Sequence, residues 1–209
     1  MRQSRPGRRG LFVAIEGIDG AGKSTLQRAL ARRLRDAGWS VRLRREPVDP
    51  RLGRAAQRIA VEDPWSAGIW FTIDRARARP SVEADLRRAD VVLTDRSYWS
   101  TLAYQGGALP VALRRRLARL QHRASPPTDL VLWLDVPADR GLARVRRRGT
   151  GRAPLERVPA QRRAVAAYRG FSRRPGWQRL DARRPPSELA ARAKDRVERL
   201  LRRRARGRS

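Results

Sequence analysis

The 209-residue chain contains no cysteine. Disulfides and thiolate metal sites are therefore excluded, and a reducing compartment, the cytosol, is the expected setting. Lysine is nearly as scarce: Lys23 and Lys194 are the only lysines among 50 basic residues. Aromatic residues make up 6% of the chain, too few to interleave with the basic ones as stacking platforms for single-stranded nucleic acid. Long apolar runs are also missing. Leu11 to Ile15 and Leu130 to Leu134 fall far short of the roughly 20 residues that span a bilayer, and neither sits in a signal-peptide context. No membrane association or export is expected.

What is abundant is arginine. The formal net charge of +30 would by itself point to a polyanionic partner. The arginines are spread along the chain, however, as a GC-rich genome replacing lysine codons would leave them, so nucleic acid is not the expected partner. Against that background Lys23 stands out, because a surviving lysine marks a place that needs a compact point charge.

Length fits one α/β domain over residues 11–204, between a mobile basic tail at 1–10 and a second at 205–209. Leu11 to Ile15 reads as a strand buried on both faces. Leu26, Leu30 and Leu34 recur at helical spacing over Ser24 to Ala37, with Gly38 as a stop. Further strands are expected at Val41 to Leu43, Val91 to Thr94, Leu130 to Asp135 and Trp177 to Leu180. Helices are expected at Arg51 to Val61, Trp65 to Ala78, Ser81 to Arg88, Ser97 to Gly106, Val111 to Arg123, Pro137 to Arg148, Arg163 to Tyr168 and Ser187 to Arg204. Pro80 should break the second of these and Ser81 cap the third. The alternation predicts a three-layer α/β/α fold around a five-stranded parallel sheet, with ligands outside the carboxyl ends of the strands. The C-terminal helix, with Leu189, Ala193, Val197, Leu200 and Leu201 along one side, reads as packing. The single histidine, His122, is expected on an exposed helix face with no role.

Between the first strand and helix lies Gly17-Ile18-Asp19-Gly20-Ala21-Gly22-Lys23-Ser24-Thr25, a G-x-x-x-x-G-K-S/T loop in the context it requires. Its glycines let backbone N–H groups face phosphates, and the following helix start adds partial positive charge. Lys23 is the candidate holder of the β- and γ-phosphates of ATP, and the Ser24 hydroxyl a candidate ligand of Mg²⁺. The fold class is thus that of P-loop NTPases.

Four further segments narrow the reading: Arg45-Glu46-Pro47; Phe71-Thr72-Ile73-Asp74-Arg75; Asp95-Arg96 ahead of Ser100-Thr101-Leu102-Ala103-Tyr104-Gln105-Gly106; and Asp129 to Pro137 followed by Gly141-Leu142-Ala143-Arg144. In this order and spacing the chain resembles the bacterial thymidylate kinase family, from about Leu11 to Tyr168 and more weakly beyond. The resemblance implies phosphoryl transfer from ATP to dTMP and a homodimer. It also implies that Asp19 lies near the acceptor sugar hydroxyl, and that Arg45, Glu46 and Pro47 shape the acceptor pocket. Ser100, Thr101, Tyr104 and Gln105 match the family segment that contacts acceptor base and sugar, and their spacing by four puts them on shared helix faces. Phe71 and Arg75, one turn apart, could clamp a nucleotide by stacking on its base and gripping its phosphate. Asp95, ending an apolar strand, has the placement of a Walker-B carboxylate that organises Mg²⁺, and Arg96 would face the transferring phosphoryl or the acceptor phosphate.

Two departures from the family pattern stand out: Ser97 replaces a tyrosine or histidine, and the aromatic pair expected around Val158 to Gln161 is missing. Family members carry a basic catalytic residue in the P-loop or in the lid. Gly20 occupies the P-loop position, so the resemblance implies the lid, a Gly/Pro-bearing segment at about 149–159. Arg152 is the favoured catalytic residue there, ahead of Arg148 and Arg157. Two alternatives remain at this stage. One is a kinase for another or modified pyrimidine nucleotide, and the other a nucleic-acid-binding P-loop ATPase.

Overall fold

A computed structural model describes residues 9–147 and 158–206. Its centre is a parallel five-stranded sheet in the order β2-β3-β1-β4-β5. The strands are β1 Leu11–Glu16, β2 Val41–Arg45, β3 Val91–Asp95, β4 Leu130–Asp135 and β5 Trp177–Asp181. Every residue of β1 and β3 is buried, as continuous apolar strands covered on both faces must be. Alternation sorts their side chains between two layers. Leu11, Val13 and Ile15 pack with Leu26, Leu30 and Leu34 of α1 (Lys23–Asp36) and with Leu189, Ala193, Val197 and Leu201 of α8 (Pro186–Arg206). On the opposite face Phe12 meets Val82 and Leu86 of α3 (Pro64–Arg88). Ala14 and Val131 meet Tyr98, Trp99 and Leu102 of α4 (Tyr98–Tyr104) and Leu117 of α5 (Val111–Ala124). The remaining helices are α2 Pro50–Ile59, α6 Ala138–Arg147 and α7 Val158–Phe171, with a 3₁₀ turn at Gly106–Ala108.

Pro80 does not break the chain: α3 is one 25-residue helix with the proline inside it. An interior proline costs about 3 kcal/mol through its missing N–H and its ring clash, but tertiary contacts outweigh this local preference. Val82 and Leu86, beyond the proline, bury against Phe12 and Val92. Arg44 of β2 also donates to the Ser81 hydroxyl and carbonyl, at 2.9 and 2.8 Å, and pairs with Asp85. Ser81 therefore caps nothing and donates back to the Ala78 carbonyl at 2.8 Å.

Both ends of the fold extend past their expected limits. Gly10 is buried and donates to the Leu86 carbonyl at 2.6 Å, and a Cβ there would lie 2.1 Å from the Ala89 carbonyl oxygen. At the other end α8 runs to Arg206. Asp129 joins the two, accepting from the Phe12 amide at 2.7 Å and pairing with Arg9 and Arg204. His122 is exposed, with its ring 4.8 Å from that of Tyr98.

The back wall of the site depends on α5 lying close to α3, where a Cβ on Gly68 would come within 2.9 Å of the Leu117 side chain. Leu117→Ala should lower the unfolding free energy by about 2–5 kcal/mol, read from urea denaturation. A loss within experimental error would show that this contact does not set the helix pair.

Candidate active site

The P-loop joins the buried end of β1 to α1. Gly17, Gly20 and Gly22 have φ of 144, 77 and 97°, values that L side chains rarely adopt. At Gly20 space forbids a side chain as well, since a Cβ would lie 2.0 Å from the carbonyl oxygen of Gly141 in α6. A basic side chain at that position would have to push α6 away.

The loop bounds an open cavity of about 440 Å³ lined by Gly20, Gly22, Lys23, Ser24, Thr25 and Arg28, together with Asp19, Arg45, Asp95 and Arg96. The Lys23 ammonium donates to the carbonyls of Gly17 and Ile18 at 3.0 and 2.9 Å. Its pKa falls to about 8, chiefly through burial and also through the nearby Arg96 charge, with Asp19, Asp95 and Glu16 opposing. The Ser24 hydroxyl donates to Asp95 Oδ2 at 2.5 Å, so these two oxygens stand side by side at the cradle.

A second cavity, of about 250 Å³, is lined by Asp19, Arg45, Glu46, Pro47, Gln57, Phe71, Arg75, Arg96, Ser100, Thr101, Tyr104 and Gln105. The residues expected to face an acceptor therefore converge on one space, and the structure adds Gln57. The Phe71–Arg75 expectation changes in one respect. Arg75 is buried and committed: Nε donates to Glu46 at 2.7 Å, Nη1 to Gln121, and Nη2 to Thr101 at 3.3 Å. With its fork held by Glu46 across the cis Glu46–Pro47 peptide, Arg75 is placed as a wall of the pocket and not as a bidentate phosphate grip. Burial raises the Glu46 pKa, with Arg75 opposing. Gln105, 2% exposed, also lines the cavity, and its buried Nε2 has no partner among the described residues.

Asp19, Arg45 and Arg96 line both cavities. Arg96 has φ 76°, a sparsely populated conformation for a residue with a side chain, held by its amide donating to the Ile15 carbonyl and its carbonyl accepting from Thr94 Oγ1. It pairs with Asp19. Burial acts to raise the Asp19 pKa, but Arg96 and Lys23 outweigh it and leave the carboxyl below its ordinary value.

Ser97 does not line the acceptor cavity. Its amide and hydroxyl each donate to Glu16 Oε1 at 2.7 Å, while Ser100 and Tyr168 hydroxyls donate to Glu16 Oε2 at 2.7 and 2.8 Å. Glu16, Gln121 and Gln161 are fully buried polar residues that sequence reading passed over. Glu16 carried a signal, because a carboxylate ending a strand buried on both faces needs partners. The lid candidates Arg148, Arg152 and Arg157 lie outside the described residues, while Val158 and Pro159 open α7.

Comparison with known proteins agrees with this geometry. The thymidylate kinase family model matches residues 15–193. The chain is 33% identical to a thymidylate kinase of Thermosynechococcus vestitus, with 86% of this chain and 83% of the relative covered. It is 38% identical to one of Thermomicrobium roseum, over 86% and 90%, and 39% identical to one of Xanthomonas campestris pv. campestris, over 83% and 76%.

The lowered Lys23 pKa sets a pH dependence. Below about pH 8 the ammonium is already charged; above it, a bound triphosphate must raise the pKa and draw in a proton. ATP affinity should thus be flat up to about pH 8 and then fall toward tenfold per pH unit, with proton uptake visible by calorimetry in buffers of different ionisation enthalpy. Affinity that stays constant from pH 7 to 9.5 would contradict the assignment.

Proposed function

The chain belongs to the thymidylate kinase family, and from its two joined cavities we propose how it carries out that family's phosphorylation of dTMP by ATP. The triphosphate lies along Gly17 to Thr25, where Lys23 exchanges the carbonyls of Gly17 and Ile18 for β- and γ-phosphate oxygens. dTMP fills the smaller cavity with its base beside Phe71, its sugar hydroxyl toward Asp19 and its phosphate toward Arg45 and Arg96. The observation that carries this reading is that Asp19, Arg45 and Arg96 line both cavities, so that donor and acceptor phosphates meet at shared charges. Glu46, Pro47, Arg75, Ser100, Thr101 and Tyr104 complete the pocket.

Transfer is attack by an oxygen of the dTMP phosphate on the γ-phosphorus, with cleavage of its bond to the bridging oxygen of the departing ADP. Arg96, where the cavities meet, stabilises the charge on the transferring group. The donors fit magnesium: the Ser24 hydroxyl and the Asp95 carboxylate are hard oxygens beside the phosphate cradle, and this ion characteristically takes only one or two such protein ligands. Ser24 and Asp95 would hold the ion, which would supply positive charge to neutralise the phosphates. A catalytic arginine from the lid, Arg152 before Arg148 or Arg157 by the family resemblance, is in keeping with the Gly20–Gly141 contact that bars a side chain from the P-loop position.

A homodimer is supported by the exposed apolar side chains of Val61, Trp70, Ile73 and Leu120 around α3 and α5. A cytoplasmic setting is supported by the absence of cysteine. Among the described residues no helix is long and apolar enough to cross a membrane. Neither the nucleic-acid-dependent ATPase nor a kinase for another pyrimidine is favoured, because the family model and the relatives it resembles are thymidylate kinases.

With ATP, Mg²⁺ and a panel of nucleoside monophosphates, dTMP should be preferred in kcat/KM on the order of a hundredfold over dCMP and the purine nucleotides. Phe71→Ala should raise the dTMP KM about tenfold with the ATP KM unchanged. Negligible turnover of dTMP beside brisk turnover of another acceptor would overturn the reading.

A further inference from the structure

Gln161 stands in the first turn of α7 and is fully buried. Its amide reaches two elements at once. Oε1 accepts from the Asp19 amide at 3.3 Å and from the Tyr104 hydroxyl at 3.0 Å, while Nε2 donates to Asp19 Oδ2 at 3.2 Å. Arg96 holds the other Asp19 oxygen, Oδ1. Both oxygens of the carboxylate that borders the acceptor cavity are therefore tied, one to β3's turn and one to α7. The Tyr104 hydroxyl, on Gln161 Oε1, also lies against the Asp19 carboxylate and helps to lower its pKa.

We propose that Gln161 is a positioning residue that selects the acceptor's sugar. It fixes the Asp19 carboxylate so that a free lone pair meets the 3′-hydroxyl of the nucleotide, and it holds Tyr104 as the adjoining wall. The inference rests on the acceptor reading of the cavity. A side chain that merely filled space would not discriminate between substrates differing by one hydroxyl. An amide that aims a carboxylate would, because an unaimed partner forfeits the strength of a charge-assisted hydrogen bond.

The acid variant adds an independent readout. Gln161→Glu keeps the shape, and its protonated form offers the same acceptor and donor as the amide. Once ionised it has no donor and opposes Asp19 directly. The introduced acid faces Asp19 from the P-loop and Tyr104 from α4, with Arg96 and Lys23 behind Asp19. Tyr168, two turns along α7, donates to Glu16 of β1, and the exposed Asp139–Arg162 pair joins α6 to α7.

Wild type, Gln161→Leu and Gln161→Glu are compared on dTMP and its 3′-deoxy analogue at saturating ATP from pH 5.5 to 8.5, with thermal melts confirming folding. Gln161→Leu should lose about tenfold in kcat/KM on dTMP and little on the analogue, leaving the ATP KM unchanged. Gln161→Glu should approach wild type at the acid end and lose dTMP activity as pH rises. Equal losses of Gln161→Leu on both substrates, or a wild-type pH profile for Gln161→Glu, would overturn the proposal with the kinase reading intact. A wild type inactive on dTMP would overturn the functional reading and this inference with it.

Discussion

The ion pair between Asp19 and Arg96 closes the gap between the carboxyl ends of β1 and β3, and the arrangement of the site follows from it. β1 lies between β3 and β4, so its P-loop opens into the crevice that a parallel sheet leaves beyond its strand ends. The turn after β3 holds Arg96 at positive φ, which aims its guanidinium across that crevice. A positive and a negative group placed there divide the space into a phosphate cradle and a smaller pocket and belong to both. Two substrates of like charge must approach within bonding distance, and a fixed guanidinium at the meeting point lowers their repulsion without solvent reorganisation.

Around the pair lies a layer of buried polar groups that holds it in place. Glu16 gathers Ser97, Ser100 and Tyr168, Gln161 gathers Asp19 and Tyr104, and Gln121 holds Arg75 to the Gly68 carbonyl and the Thr72 hydroxyl. Buried polar groups are costly unless satisfied, and satisfied networks are rigid. In a chain carrying +30, the few buried carboxylates are concentrated where charge has to be directed.

Much of this was legible beforehand. β1, β3 and β4 are continuous apolar runs, and every strand appears within one residue of its expected bounds apart from β2, whose polar carboxyl end runs two residues further. The phosphate loop was readable because its glycines, Lys23 and Ser24 serve one backbone geometry. Misreadings came where tertiary contacts overrule local preference. Pro80 would end an isolated helix, yet Val82, Leu86 and Arg44 carry α3 past it. Arg75 looked like a phosphate grip because spacing places a residue on a face but does not say which carboxylate it finds there; Glu46, 29 residues away, finds it first. Glu16, Gln121 and Gln161 have no motif, since their partners are distant in the chain. The lack of an aromatic pair around Val158 to Gln161 was visible, but not the hydrogen bonds that Gln161 makes there.

If the two cavities share Asp19 and Arg96, one molecule that bridges them must displace both substrates. A thymidine and an adenosine joined through a chain of phosphates tests this most directly, by initial-rate inhibition against ATP and dTMP varied in turn. Competition with both substrates and binding at one equivalent per chain is the predicted result. Competition with one substrate alone would contradict a site in which the donor and acceptor spaces meet at that pair.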